Sequence, residues 1–141
     1  MTRIAAGAAL LLCLSCIAAC APHSNQEAEN AAAEPARAWL TLIDEGRYAE
    51  SWDDAAPYFQ NAVAREEWEK SLKAVRTPLG KAESRKLKSA SYRTTLPGAP
   101  DGEYVIIQYS TSFEKKKSAI ETVTPMLCKD GKWRVSGYYI K

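Results

Sequence analysis

Residues 103–113 read EYVIIQYSTSF, and this stretch decides the fold class of the chain. Alternate residues are apolar, aromatic or β-branched, a period of two that fits a β-strand with one face against a core and the other in water. The residues on the predicted core face are Val105, Ile107, Tyr109, Thr111 and Phe113. Since a lone strand is not stable, we expect neighbouring segments to form a sheet with it.

The next strand is predicted after a charged turn. Three lysines at 115–117 make the turn, and residues 119–129 then alternate again. Val123 and Leu127 fall on one side of this strand, which is the side expected to meet the core.

Two further strands complete the predicted sheet. Asp130-Gly131 is a favoured two-residue hairpin turn, and residues 132–140 follow it as the last strand. Its inward-facing residues are predicted to be Trp133, Val135 and Tyr139. Residues 85–96 are polar and extended, and the PGAPDG cluster at 97–102 separates them from the central strand as a loop.

The first half of the chain has a helical period instead. Glu34 and Pro35 suit the first turn of a helix, and Gly46 suits its end. Between them lies an apolar stripe at helical spacing, formed by Ala36, Trp39, Leu40 and Ile43. This pattern predicts an amphipathic helix that covers the sheet.

Two shorter helices are predicted before the strands. The first occupies residues 48–55, and Pro57 either ends it or opens another turn. The second occupies residues 65–76, with Pro78 and Gly80 terminating it.

Helices first and strands afterwards is the order of an α+β fold. We therefore predict a single α+β domain over residues 34–141, in which N-terminal helices pack on a curved antiparallel sheet of about four strands. Residues 20–33 are small and polar and are predicted to form a flexible, lipid-anchored tether. The alternative is that the alanine run at 31–33 continues the first helix backwards.

An export signal precedes the tether. Residues 1–19 contain an apolar run that is too short to span a bilayer, which needs about 20 apolar residues. Ile17-Ala18-Ala19-Cys20 has the pattern of a bacterial lipobox, which predicts cleavage before Cys20 and its acylation. The alternatives are a plain signal peptide without lipid, or acylation at Cys16. Ala21 favours the outer membrane, so we expect a lipoprotein of the cell envelope that faces the periplasm.

The net charge and the cysteine content restrict the kinds of partner that we expect for this protein. The net charge of +2 gives no bulk electrostatic attraction to nucleic acid, which we exclude as a partner. The expected partners are the membrane, through the lipid on Cys20, and an envelope protein or a small apolar ligand. Once the leader is removed, Cys128 is the single free thiol, either a buried small hydrophobe or a reactive cysteine. The sequence predicts no oligomeric state.

The residues for common catalytic sites are missing from the predicted domain. His23, the single histidine, lies in the tether, so we expect no Ser–His or Cys–His pair, no metal site and no cofactor. Four carboxylates gather around the second helix and are expected to cap helices or face water: Asp44, Glu45, Asp53 and Asp54.

Glu121 is the carboxylate of greatest interest, because it shares the inward side of its strand with Val123. A buried carboxylate needs a partner or a raised pKa. The candidate partners are Arg76, Arg85 and Arg134. We favour a structural ion pair over a general base.

Aromatic residues offer the other candidate site. Glu121, Trp133 and Tyr139 are the candidates for lining a ligand site. The alternative, which we favour for the tryptophans, is core filling: Trp39, Trp52, Trp68 and Trp133 each lie on an apolar face.

Basic residues gather on the predicted first strand and in the turn at 115–117. They are either a solvated face that keeps the sheet edge from pairing or a contact surface for anionic lipid or peptidoglycan. We favour the solvated face.

Several segments resemble a bacterial protein family. They are Trp39 with Leu42-Ile43-Asp44-Glu45-Gly46-Arg47-Tyr48, Ser51-Trp52, Arg76-Thr77-Pro78-Leu79-Gly80, Leu96-Pro97-Gly98, Glu121-Thr122-Val123-Thr124 and Gly131-Lys132-Trp133-Arg134-Val135-Ser136-Gly137-Tyr138-Tyr139-Ile140. Together they are similar to the domain-of-unknown-function 4019 family over nearly all of residues 35–141. The resemblance implies an exported, often lipid-anchored protein, and it implies no catalytic residue or cofactor. Helices across a bent sheet also resemble nuclear transport factor 2-like folds, which implies a pocket.

Three functional hypotheses follow. The first is a non-enzymatic envelope module that binds a protein, a peptide or a small apolar ligand. The second is a small-pocket enzyme of the nuclear transport factor 2-like type that uses Glu121. The third is an assembly protein that adds a strand at its sheet edge.

Overall fold

A computed structural model describes residues 24–141, which form four helices followed by four strands. The helices are α1 (Asn25–Asp44), α2 (Tyr48–Asp53), α3 (Pro57–Ala62) and α4 (Arg65–Leu79). The strands are β1 (Ala82–Arg93), β2 (Tyr104–Phe113), β3 (Lys116–Leu127) and β4 (Trp133–Ile140). The predicted signal peptide, Cys16, Cys20, Ala21 and His23 lie outside the described residues.

The four strands form one curved antiparallel sheet in the order β1-β2-β3-β4. Helix α1 lies across one face of this sheet and contacts all four strands, while α2 packs on α4 and on α1. The predicted α+β class, with helices packed on an antiparallel sheet, is therefore confirmed. Among residues 24–141, no helix combines the length and apolar character that crossing a bilayer requires.

Helix α1 begins earlier than predicted. Ser24 caps it: its Oγ accepts from the Glu27 backbone N–H at 3.3 Å, and the Glu27 carboxylate accepts from the Ser24 N–H at 2.9 Å. This reciprocal capping box fixes the first turn. The prediction of a flexible tether is therefore wrong from Ser24 onward, and Pro35 lies inside the helix instead of in its first turn.

A stripe of alanines explains why this early part of α1 is ordered. Ala28, Ala32 and Ala36 are fully buried and follow one another at four-residue spacing. They continue the predicted stripe of Trp39, Leu40 and Ile43, all of which are buried. Because alanine is small, the first half of the helix packs close to the sheet although it carries no large apolar side chain.

The helices that follow agree with the predicted pattern apart from their ends. Pro57 opens α3, one of the two alternatives, and stands in its first turn, where a missing N–H costs nothing. Helix α4 passes through Pro78 and ends at Leu79, because Gly80 with φ of +73° has a positive-φ backbone that glycine adopts readily and that cannot continue a helix.

The central strand β2 confirms the alternation that identified it. Its five predicted core residues are all buried: Val105, Ile107, Tyr109, Thr111 and Phe113. On the neighbouring strand β3, Glu121 and Val123 are buried on the same side, as their shared parity predicts.

The inward alternation of β4 changes phase within the strand. Trp133 and Val135 are buried as predicted, but Tyr139 is 49% exposed and Tyr138 packs against the core instead. The pairing of β3 with β4 skips Ser136, which leaves one extra residue on β4. A bulge of this kind moves every later side chain to the opposite face, so the prediction that Tyr139 faces inward is wrong.

The β3–β4 turn holds three residues, not the predicted two. Cys128 and Lys132 face each other across its base, with the Cys128 N–H donating to the Lys132 carbonyl at 2.8 Å. Gly131 donates to the Cys128 carbonyl at 2.9 Å and has φ of +80°. A three-residue hairpin loop needs one left-handed residue at this place, and glycine adopts it without strain.

Three of the four tryptophans are buried and the fourth packs against the core, as predicted. Ser51, fully buried in α2, joins two of them: its carbonyl accepts from Trp39 Nε1 at 2.7 Å and its Oγ accepts from Trp68 Nε1 at 3.0 Å. The rings of Trp39 and Trp68 lie 6.0 Å apart. Trp52 donates to the Val63 carbonyl at 2.7 Å. Each of these indole N–H groups thus has an acceptor, as a core aromatic requires.

Candidate functional site

Glu121, the strongest candidate from the sequence, is fully buried in the middle of β3. Its Oε1 accepts from Arg85 Nε at 2.7 Å and from Thr111 Oγ1 at 2.5 Å. Its Oε2 accepts from Arg85 Nη2 at 3.2 Å and from the Tyr138 hydroxyl. Each carboxylate oxygen therefore has two donors, which is the satisfaction that a buried charge needs.

The antiparallel register brings these partners together. Arg85 of β1 faces Thr111 of β2, and Thr111 lies diagonally across from Glu121 of β3. Tyr138 of β4 faces Val123, two residues along from Glu121. The four strands thus each contribute one polar side chain to a row across the inner face of the sheet.

Arg85 connects this row to α1. Its Nη1 donates to Asp44 Oδ2 at 2.7 Å and its Nη2 to Asp44 Oδ1 at 3.0 Å, in addition to its two bonds to Glu121. Burial alone would lower the pKa of Arg85, but the hydrogen bonds to Asp44 and Glu121 outweigh burial and raise it. Arg85 therefore stays charged and holds two carboxylates at once.

Asp44, the last residue of α1, is shared by two arginines. Arg76 of α4 donates from Nη2 to Asp44 Oδ1 at 3.1 Å, beside the paired bonds from Arg85. Burial of the Asp44 carboxyl opposes its ionisation, yet the hydrogen bonds and charges of Arg85 and then Arg76 outweigh burial and lower its pKa. Asp44, Arg76, Arg85 and Glu121 together form what we call the buried ion-pair network, in which Arg76 and Glu121 are buried while the Asp44 and Arg85 side chains are 29% and 18% exposed.

Tyr138 closes the network at β4. Burial raises the pKa of its phenol far above the ordinary value, and the charge of Glu121 and the hydrogen bond to it add to that rise. The phenol therefore remains a neutral donor to Glu121. Its ring meets Trp39 edge to face, with the centroids 5.4 Å apart, so the polar row and the aromatic core share this residue.

The other arginine named as a partner for Glu121 is engaged elsewhere. Arg134 makes paired hydrogen bonds to Asp130, at 2.9 and 2.8 Å, next to the β3–β4 turn. Among the sequence candidates, Arg85 contacts Glu121 directly and Arg76 reaches it only through Asp44 and Arg85.

The carboxylates around α2 divide between the network and the surface. Glu45 and Asp53 form exposed ion pairs, with Arg47 at 3.0 Å and with Arg65 at 2.9 Å. Asp44 alone turns inward, away from the capping role expected for it. Exposed pairs of this kind contribute about 0–1 kcal/mol to stability.

Trp133 and Tyr139, the other candidates for lining a ligand site, are separated by the sheet. Trp133 lines a depression of about 250 Å³ with Trp39, Asp54 and Lys132. Tyr139 lies on the opposite face, with Lys141 Nζ 5.6 Å from its ring centre. The structure therefore does not bring Glu121, Trp133 and Tyr139 into one site.

A second depression adjoins the network. It has a volume of about 320 Å³ and lies where the ends of α1 and α4 meet the β2–β3 turn. Asp44, Arg76, Lys81 and Glu114 are among the residues that line it. Glu121 is absent from the walls of both depressions.

Cys128, the one cysteine among residues 24–141, is partly buried. Its Sγ lies 3.9 Å from the Met126 carbonyl. Within the same residues, no three His, Cys, Asp or Glu side chains are grouped closely enough to hold a metal ion.

Comparison with known families gives one match. The family model described as "Protein of unknown function (DUF4019)" covers residues 35–138. The chain belongs to the DUF4019 family. No curated protein matches the chain.

The DUF4019 match includes the whole polar row and both arginine partners. It begins at Pro35 and ends at Tyr138, the residue that closes the row. Ala28 and Ala32 precede it, yet both are fully buried, so the structured domain is longer than the matched segment.

Of the three arginine candidates for Glu121, Arg85 contacts it, Arg76 joins the buried ion-pair network through Asp44, and Arg134 pairs with Asp130 instead. Sequence reasoning missed three other residues in or beside this network. Asp44 was expected to face water, Thr111 was counted as a core residue and Tyr139 was expected in place of Tyr138. The shared parity of Thr111 and Glu121 on adjacent strands is a signal that points to their contact. Asp44 and Arg85 are 41 positions apart, so no local sequence pattern predicts their hydrogen bonds.

Proposed function

We propose that this chain is a lipid-anchored protein of the bacterial cell envelope whose domain is a non-enzymatic binding module. The lipobox at Cys20 supports the anchor and its periplasmic orientation, and Ala21 supports the outer membrane. The burial and the fully used hydrogen-bond acceptors of Glu121 support a non-enzymatic role. Family membership is compatible with both parts, since DUF4019 carries no assigned activity.

The saturation of Glu121 is the observation that carries the non-enzymatic part. A general base must reach a substrate proton at hydrogen-bond distance and have a lone pair free to take it. Glu121 is fully buried and accepts from Arg85, Thr111 and Tyr138. The network therefore serves to join the sheet to α1 and α4 and to hold the surfaces of the domain in place.

The position of Ser24 limits the distance between the folded domain and the membrane. Ser24 begins the capped helix α1, and Cys20 precedes it by only four residues. Four residues span at most about 14 Å when fully extended. Acylation of Cys20 would thus keep the domain close to the lipid surface, where it would meet membrane-bound partners.

Metabolic labelling with a clickable palmitate analogue tests the anchor in the full chain. The wild type and the matched control Cys16→Ala are expected to carry the label, and Cys20→Ala is expected to lose it. Label that persists in Cys20→Ala but disappears in Cys16→Ala would place the lipid at the other cysteine.

Ligand capture tests the binding role against the enzyme alternative. The mature lipoprotein, purified in detergent, is incubated with a periplasmic metabolite extract and analysed by mass spectrometry for bound and for consumed compounds. We expect compounds that bind and are recovered unchanged. Consumption of a compound by the wild type that Glu121→Gln abolishes, with the fold intact by circular dichroism, would favour the small-pocket enzyme.

A further inference from the structure

Arg76 carries the least satisfied polar group of the buried ion-pair network. Its side chain is only 5% exposed, and its Nη2 donates to Asp44 at 3.1 Å. Within residues 24–141, its Nε and Nη1 have no hydrogen-bond partner. The guanidinium carbon of Arg76 lies 5.0 Å from the centre of the Phe113 ring, in a cation–π contact. This contact stabilises the positive charge but provides no hydrogen-bond acceptor for Nε or Nη1.

Two unpaired donors on a buried cation are costly. A buried donor without an acceptor costs about 1–3 kcal/mol, and more when it is charged. Native structures satisfy most such groups, so an exception calls for a specific explanation. Both donor atoms are shielded from solvent in the structure. A ligand acceptor would therefore reach them through a rotation of the guanidinium toward the adjoining depression, and the new hydrogen bond would remove this cost.

Arg76 also lines the 320 Å³ depression, which provides room for that ligand. Ile43 and Tyr48 contribute apolar and aromatic surface to its lining, which also includes Gly80 and Lys81. The volume is near the lower end of the range of small-molecule sites, about 300–1,000 Å³. The expected ligand is therefore small.

The charges around the depression indicate what kind of ligand fits. Arg76 and Lys81 supply positive charge, and a planar guanidinium pairs well with a carboxylate. The acidic side chains in the wall are Asp44, Glu45 and Glu114. They disfavour a dianion such as phosphate, and they favour a ligand that also carries an ammonium group.

We propose that this depression, the Arg76 site, binds the carboxylate of a small zwitterion, either an amino acid or a short peptide. The carboxylate accepts from Arg76, and the ammonium group lies toward Glu45 and Glu114. This assignment rests on the proposed binding function and names the ligand class of the module.

Isothermal titration calorimetry of the mature lipoprotein in detergent tests the site. The probes are alanyl-alanine, its C-terminal amide, which keeps the ammonium but lacks the carboxylate, and inorganic phosphate. We expect saturable binding of alanyl-alanine, at least about tenfold weaker binding of the amide, and weaker binding of phosphate as well.

Two variants and a matched control locate the binding. Arg76→Met is expected to abolish binding of alanyl-alanine, and Lys81→Gln, an exposed position, to weaken it several-fold while leaving the fold intact. Lys73→Gln removes an exposed lysine of α4 that is not in the wall of the depression, and it should bind like the wild type. If Arg76→Met does not fold, Lys81→Gln against Lys73→Gln decides the location.

Several results would overturn the Arg76 site. They are the absence of saturable binding, equal binding of alanyl-alanine and its amide, or equal behaviour of Lys81→Gln and Lys73→Gln. None of these affects the proposal of a non-enzymatic module, which is tested separately by ligand capture from the metabolite extract. Hydrolysis of bound alanyl-alanine would reject that broader proposal while leaving the carboxylate site in place.

Discussion

Arg85 of β1 donates two hydrogen bonds to Asp44, the last residue of α1. The two residues lie 41 positions apart, and their contact ties the end of the covering helix to the edge strand of the sheet. The same guanidinium holds Glu121, which is fully buried. The geometry of the inner face therefore depends on one side chain.

Replacing Arg85 tests this dependence. Arg85→Met removes the cation that Asp44 and Glu121 share, and leaving a buried charge without its partner costs about 3–5 kcal/mol. We expect the free energy of unfolding, measured by urea denaturation, to fall by that amount. Lys86→Met, at the exposed neighbouring position, should change it by less than about 0.5 kcal/mol. Equal losses in the two variants would show that the ion pairs do not hold the helix on the sheet.

Tyr138 and Tyr139 form a second matched pair. Tyr138→Phe removes the hydroxyl that donates to Glu121 and leaves a buried acceptor less satisfied, at a cost of about 1–3 kcal/mol. Tyr139→Phe alters a residue that is 49% exposed and should leave the midpoint of thermal unfolding nearly unchanged. A larger effect at Tyr139 would contradict the bulge in β4 that assigns the two faces.

The charge of Asp44 gives the fold a dependence on pH. Its pKa in the folded state lies below the ordinary value of 3.8, because the charges and hydrogen bonds of Arg85 and Arg76 outweigh burial. A lowered pKa stabilises the fold at pH above the ordinary value, and this contribution is lost as the pH falls through the folded-state pKa. We expect the stability difference between wild type and Asp44→Asn to be largest above about pH 5 and to shrink in more acidic solution.

Urea denaturation between pH 3 and 7 measures this difference. Asp54→Asn is the control, since the Asp54 side chain makes no hydrogen bond or ion pair in the described part of the chain, and its backbone N–H donates to the Glu50 carbonyl at 2.9 Å. Its stability difference from the wild type is the reference for the Asp44→Asn difference. An Asp44→Asn difference that does not change with pH would mean that the Asp44 carboxylate is not the titrating group.

The first half of α1 can be tested with two neighbouring alanines. Ala32 is fully buried against the core, and Ala31 is exposed on the same helix. Ala32→Leu overpacks the contact between α1 and the sheet and should cost about 1–3 kcal/mol of folding stability. Ala31→Leu should leave the stability nearly unchanged in differential scanning calorimetry. A flexible segment at 25–33 would tolerate both substitutions equally.

Local patterns determined much of this protein. The alternation in β2 predicted its inner face residue by residue, because a strand has a fixed period of two. The parity of Glu121 placed it inward for the same reason. The stripe from Ala36 to Ile43 identified the covering helix, and the lipobox at Cys20 predicts the anchor from a motif that needs no folded structure.

Only the tertiary structure determined where α1 begins, where the side-chain alternation of β4 reverses, and which polar residues contact one another. The first turns of α1 contain no large apolar residue, and they are ordered because alanines fit closely against a sheet formed much later in the chain. The bulge in β4 exchanges Tyr138 for Tyr139 through its pairing with β3. The selection of Asp44 and Glu121 by Arg85 depends on side chains 41 and 36 positions away, which the antiparallel sheet and the docked helix bring within hydrogen-bond distance.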